Sequence, residues 1–409
     1  MLNLSERSIM RQLVLGISGT VAILLVVTSF FILSALSDNE REQLTVSIED
    51  IVKQQATEVR AFFDAKGQVV HSVFASPQVI NWFEQYNERV SDIDDDPQYQ
   101  DVTQYFNFLS SKDPAIKSVF FGSENTHEYF DLNGRYTNAD YYTSKRPWWN
   151  KGIEKGRLYV TDPAVDNNDK SVSATVTGPF FLPDGSLLGI GGVDILITTI
   201  GKDLLSRIKY KGEGEAFLMT DSGKLVFFPG FNDDFLPGDE MKSVDQKIIG
   251  ASKFSKLQSE ILNKSSGISH VNWKDEEYLV AFNEVRSEFP QMNWKLGFMV
   301  PERMIAEPVS AAFWSSSFIV VFIIILIGIV VWFMVLPIIT RLKRLQNMMH
   351  DIADGNGDLT KRIAPLKNDE IGKLVDEFNL FADKIQSLVS ETVVIANEVG
   401  SSTHVSADI

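Results

Sequence analysis

The chain has 409 residues, no cysteine, and 54 acidic against 38 basic side chains, a formal charge of −16. This length exceeds one ordinary domain. The missing thiols exclude disulfides and thiolate metal sites, and the acidic balance repels nucleic acid and argues against a phosphate-binding role.

After a short N-terminus, residues 1–11, no charge occurs between Arg11 and Asp38. The run LVLGISGTVAILLVVTSFFILSAL exceeds the roughly 20 apolar residues that span a bilayer, and the apolar core of a cleaved signal is only about 7 to 15 residues. A transmembrane helix is expected over 12–37. A second uncharged interval separates Glu307 from Arg341, giving a second transmembrane helix over 308–336. Trp314 and Trp332 flank its centre about 27 Å apart along a helix, as two interfacial belts would. Arg7 and Arg11 precede the first helix, and Arg341, Lys343 and Arg344 follow the second, so both chain ends are expected on the cytoplasmic side. Residues 38–307 then lie outside and hold most of the acid, 42 Asp and Glu against 28 Lys and Arg.

From Asp38 to about Phe63 the segment lacks Gly and Pro and places Leu44, Ile48, Ile51, Val59, Phe62 and Phe63 near helical spacing. This predicts a long helix continuing out of the membrane, packed on its own domain or on a second copy. The acidic loop holding Asp92, Asp94, Asp95 and Asp96 lacks the glycine and closing glutamate of a calcium loop and reads as a solvated turn. Short strands follow, with hairpin signals at DLNG and LPDGSLLG. A helical TTIGKDLLSRI leads to a second strand set that includes a Lys-rich amphipathic region near Ser252 to Leu262. Two antiparallel sheet modules are expected, at about 65–200 and about 205–300. The fold class is α+β.

Within the first module, YYTSKRPWW and the strand GIGGVDI supply a cation, large aromatic faces and a carboxylate in an apolar strand. Tyr141, Arg146, Trp148, Trp149 and Asp194 are the candidate ligand-binding residues for a small zwitterion, with no catalysis implied. RPWW is also readable, as the lesser alternative, as a packing corner with Arg146 bonded to backbone carbonyls. Asp194, costly to bury unpaired, needs either Arg146 or a ligand ammonium as partner. Asp162, Asp166 and Asp169 read first as a solvated loop, with an acidic site for an amine or polyamine as the alternative. The five scattered histidines, His71, His127, His270, His350 and His404, show no zinc spacing. Neither a cofactor nor a hydrolase-type nucleophile, base and orienting group is indicated.

Past the second membrane helix, Ile338, Leu342, Leu345, Met349 and Ile352 form one heptad seam, and Ile371, Leu374, Phe378, Phe381, Ile385 and Leu388 another, separated by Gly355 and Gly357. Two such helices complete a parallel bundle when a second chain supplies the other half, which predicts a homodimer.

With Pro337 at the membrane exit, the GNGDLTKRI connector and NDEIGKLVDEFN opening the second helix, residues 337–390 resemble a HAMP domain. Proline would interrupt the helical hydrogen-bond ladder there. The resemblance gives Glu370, in Asp-Glu-Ile-Gly, a role in biasing the bundle between states; an acid at a helix N-terminus is favourable in any case. Together with two membrane helices, the chain resembles the sensory half of a methyl-accepting chemotaxis receptor, with residues 38–307 similar to a double Cache domain of two PAS-like sheets behind a long helix. That resemblance implies ligand capture in the membrane-distal module: Arg146 on a carboxylate, Trp148 and Tyr141 framing it, Asp194 on the ammonium. Two positions depart from the family's pattern, Trp149 and Ala164 standing where tyrosines are expected, so a ligand other than a standard α-amino acid is open. The implied setting is the bacterial inner membrane with the sensor in the periplasm, lipid around the helices, and a chemotaxis kinase and coupling protein reached through a signalling region absent from this sequence. Residues 391–409 resemble the start of a truncated signalling helix. The sensor half of a histidine kinase or diguanylate cyclase is the alternative, although His404 lacks a phosphoacceptor's acidic neighbour.

Overall fold

The computed structural model describes residues 9–166, 169–353, 359–360, 362–364 and 369–405. Arg7, Gly355, Gly357, Lys361 and the last residues of VSADI lie outside them. The chain divides into two compact units, Leu36–Val309 and the flanking segments up to Ala35 and from Ser310.

Helix α1 (Ile9–Phe74), which belongs to the Leu36–Val309 unit from Leu36 onward, extends eleven residues past the predicted Phe63. Leu44, Ile48, Val52, Ala56, Val59, Phe63, Val70 and Val73 are buried along one stripe, at intervals that keep them on one helical face. Helix α2 (Pro77–Gln85) packs Trp82 and Phe83 into the same core. Helix α3 (Pro97–Lys112) begins where Asp96 accepts from the Gln98 amide at 2.9 Å and from the Trp82 indole at 2.9 Å. One aspartate of the acidic loop is therefore a helix cap.

Strands β1 (Ile116–Ser123), β2 (Tyr129–Asp131) and β3 (Gly134–Arg135) follow, the DLNG turn closing on Gly134 at φ +94°. After helix α4 (Pro147–Lys155) come β4 (Tyr159–Val160), β5 (Ala164–Val165), β6 (Val172–Phe181) and β7 (Leu187–Leu196). These form the first sheet, in the order β3-β2-β1-β7-β6-β4, with β5 beside β6.

Helix α5 (Ile197–Ile200) leads to β8 (Glu215–Met219), β9 (Leu225–Phe227), α6 (Val244–Lys247), α7 (Phe254–Asn263), β10 (Ser266–Trp273), β11 (Glu276–Glu288) and β12 (Gln291–Pro301). The second sheet runs β10-β11-β12-β8-β9 and shelters its own core of Phe228, Phe254, Trp273 and their neighbours. The two sheets touch through one parallel bridge, Gln291 of β12 beside Tyr159 of β4.

Helix α8 (Arg303–Ala353), which belongs to the other unit from Ser310 onward, passes through Pro337 unbroken, so the proline removes one amide donor without ending the helix. Both α1 and α8 are long and apolar enough to cross a membrane. Helix α9 (Glu370–Val405) starts where the Asp369 side chain accepts from the Gly372 amide at 2.8 Å and pairs with Arg341 at 3.0 Å. Glu370 itself is exposed, so the engaged acid at this terminus is its neighbour. Leu345, Ile363, Val375 and Phe378 share one small core, and the Asn379 amide bonds both backbone groups of Ile363. The contact differs from the predicted seam by about one residue: Val375 and Ala382 are buried, while Leu374, Phe381 and Leu388 remain 48%, 52% and 57% exposed.

Candidate ligand-binding site

Side chains alternate across a strand, so ladder register decides which residues share a face. Asp194 of β7 lies opposite Ser118 of β1 and Thr175 of β6. The adjoining positions on that face are Gly192, Phe120 and Thr177, continued by Tyr129 and Asp131 of β2. The other face belongs to α1: a Cβ on Gly191 would lie 2.6 Å from the ring of Phe74. The sheet thus buries one side against the long helix and leaves the Asp194 side for the segment carrying RPWW.

That segment is built for close approach. Pro147 opens α4 with its fixed φ, and Gly156 at φ +63° closes it. Gly122 lets two indoles reach the sheet, since a Cβ there would sit 2.9 Å from Trp148, 3.0 Å from Trp149 and 3.1 Å from Thr143. Trp148 stands edge-on to Phe120 at 5.7 Å and to Tyr129 at 6.4 Å. Trp149 is buried and meets His127 edge-on at 5.7 Å. The preceding loop is pinned by Arg89, which donates to the carbonyls of Thr126 at 2.8 Å, Ala139 at 2.7 Å and Tyr141 at 3.0 Å.

Arg146 lies 4.0 Å over the Tyr141 ring, and Tyr141 in turn meets Tyr129 at 6.0 Å. Its Nε is buried and has no hydrogen-bond partner among the described residues. A buried guanidinium donor left unpaired is costly and ready to accept an oxyanion. Asp194 accepts a hydrogen bond from the Thr175 hydroxyl at 2.7 Å. Burial pushes its carboxyl up to about 6, partly offset by Thr175 and the Lys117 charge. Burial also raises Asp131, and burial with the nearby Asp194 charge raises the phenol of Tyr129. The site therefore has, among the described residues, a cation with an unpaired Nε at one side, a desolvated carboxylate at the other, and aromatic rings between.

Tyr141, Arg146, Trp148 and Asp194 converge on this face; Trp149 is a packing residue beneath it. No ion pair joins Arg146 to Asp194 among the described residues, so of the two partners considered for Asp194 the arginine is not the one it contacts. Ala164 is exposed on β5 opposite Ser173, on the Asp194 side. The acidic trio is occupied internally: Lys117 reaches Asp166 at 2.6 Å and Asp169 at 2.9 Å, and Lys224 lies 3.4 Å from Asp162. Tyr129, Asp131, Phe120 and Thr175 were missed from sequence. The alternation within VFFGS and EYFDL signals a two-faced strand, but register is needed to place any of these beside Asp194.

Residues 27–309 match the family described as Cache domain, and residues 333–387 match the HAMP domain. The chain belongs to the Cache-domain family. Among curated relatives, this Cache and HAMP chain is 26% identical over 265 residues to the methyl-accepting chemotaxis protein PctB of Pseudomonas aeruginosa, covering 64% of this chain and 39% of that one. It is 23% identical over 384 residues to the methyl-accepting chemotaxis protein PscA of Pseudomonas syringae pv. tomato, covering 92% and 55%. The chain thus spans about half, or less, of the length of these relatives. Among solved structures, the PctB ligand-binding domain in complex with L-Arg is similar at TM-score 0.46 and 18% identity, covering 64% of this chain and 97% of that one. The ligand-binding domain of the Pseudomonas fluorescens chemoreceptor CtaA in complex with L-serine is similar at TM-score 0.48 and 17% identity, covering 64% and 99%.

Proposed function

We propose that this chain is the sensory portion of a transmembrane chemoreceptor that binds a small amino compound in its first Cache module and passes occupancy through α8 to the HAMP helices. The observation behind this reading is that Arg146, stacked on Tyr141, faces the sheet side that carries Asp194, with no ion pair between the two among the described residues. Among the described residues the Arg146 Nε is a buried donor with no acceptor, and Asp194 is desolvated, with the Thr175 hydroxyl as its hydrogen-bond donor and the Lys117 charge acting on it only in part. An amino acid's carboxylate and ammonium match that order. Curated relatives of this chain are methyl-accepting chemotaxis proteins, which supports the receptor reading.

In this reading Arg146 holds the carboxylate through its planar fork of donors, Trp148 and Tyr141 enclose the backbone of the ligand, and Asp194 takes the ammonium. The protein does no chemistry. The Cache unit sits in the periplasm and the HAMP helices beneath the inner membrane, following the basic residues that flank the two apolar stretches. The exposed Leu374, Phe381 and Leu388 meet a second copy of the chain in a parallel bundle. Ligand binding acts by favouring one of two packings of that bundle. Calorimetric titration of the full chain in lipid nanodiscs with amino acids, amines and carboxylates tests the reading. Amino acids should bind and Asp194→Asn should weaken that binding by about a hundredfold or more; a ligand set confined to carboxylates without an amino group would overturn the assignment.

A further inference from the structure

A second concave site lies where the two sheets meet. A cavity of about 360 Å³ opens between the C-terminal half of α4 and the β11–β12 turn. Its first wall presents Lys151, Lys155 and Tyr159, its second Arg286, Ser287 and Trp294. Tyr159 is 2% exposed, and its hydroxyl has no hydrogen-bond partner among the described residues. A buried phenol without a partner is a desolvation cost that a bound acceptor removes. Burial, and then the Glu154 charge, push this phenol up to about 12, so it remains a donor at neutral pH.

The charges around the cavity are unevenly spent. Asp162 is met by Lys224 at 3.4 Å, and Glu288 by Arg286 at 3.1 Å. Among the described residues Lys151 and Lys155 have no ion-pair or hydrogen-bond partner, Lys151 lying 5.8 Å over the ring of Tyr159. Asp221 is the lining acid that stands against these two free ammonium groups. On a chain of net charge −16, this is a local concentration of unpaired cations beside an unpaired donor.

We infer that this inter-module cavity binds a small oxyanion, carboxylate or phosphate, held by Lys151, Lys155 and the Tyr159 hydroxyl. It is separate from the Arg146 and Asp194 site, although α4 carries residues of both. The cavity also abuts the long helix: the Ser287 hydroxyl donates to Asp64 at 2.5 Å, and Trp294 meets Phe63 edge-on at 5.0 Å. An anion seated here would act on α1 independently of the first site.

The experiment is calorimetric titration of the full chain in nanodiscs with succinate and with inorganic phosphate. At least one of these binds. Lys151→Met with Lys155→Met weakens that binding by about tenfold or more, and Tyr159→Phe weakens it several-fold without lowering the melting temperature of the unliganded protein. Binding of the same anion persists in Arg146→Gln, and amino-acid binding persists in the double lysine variant. Which probe binds separates a carboxylate from a phosphate ligand. Absence of binding by both probes, or anion binding that survives the lysine substitutions and vanishes with Arg146→Gln, overturns the proposal.

Discussion

Thr175 donates its hydroxyl to Asp194 at 2.7 Å across the β6–β7 ladder, and this is the carboxylate's direct hydrogen bond in a setting that otherwise desolvates it. One neutral donor does not replace the water lost on burial, so the ionised form stays strained until a cation arrives.

Replacing Asp194 with Asn keeps an acceptor for Thr175 and removes the charge. The variant should lose amino-acid binding by about a hundredfold or more, in line with removal of one partner of a buried charge pair. Its melting temperature at pH 7 should equal or exceed that of the parent, because a buried charge has been relieved. Calorimetry and thermal unfolding check the two arms.

The pH dependence follows from a folded value near 6 against an ordinary 3.8. A raised carboxyl favours the folded state at low pH, and that contribution disappears as pH rises through about 4 to 6. The unliganded protein should therefore gain stability from this group when acidified from pH 7 to 5. Ligand ammonium binding needs the ionised form, so affinity should be flat above about pH 7 and fall by up to about tenfold per unit well below 6. Titrations at stepped pH measure this; affinity rising on acidification would contradict it.

Arg146→Lys retains the charge but loses the planar fork and its stacking on Tyr141. Affinity should fall by about ten- to a hundredfold, the equivalent of roughly 1.4 to 3 kcal/mol. The parent's fold should be kept, since Nε has no acceptor to lose among the described residues.

Gly122→Ala places a methyl 2.9 Å from Trp148 and 3.0 Å from Trp149. Overpacking of this kind costs about 1 to 3 kcal/mol. Thermal unfolding should show a lowered transition, and binding should weaken because Trp148 is displaced from Phe120 and Tyr129.

In the HAMP helices, a single cysteine at the exposed Phe381 should form a disulfide between two chains under mild oxidation in membranes, whereas one at Asp376, rotated away on the same helix, should not. Equal cross-linking at both positions would argue against a parallel α9 pair.

Sequence by itself determined the two apolar spans, the outward continuation of α1, the two strand sets and the HAMP helices. Each is written in local periodicity or in an uninterrupted apolar run. It also picked out Arg146, Trp148 and Asp194, because a cation among aromatics and a carboxylate in an apolar strand are locally anomalous. Only tertiary structure decided that Thr175, not Arg146, contacts Asp194, that Trp149 packs beneath the site, and that Lys117 bridges Asp166 and Asp169. It alone brought Lys151, Tyr159 and Arg286 around one cavity. These relationships depend on strand register and on residues far apart in the chain. A one-residue shift of register would turn Asp194 toward α1, and no local pattern records which way it faces.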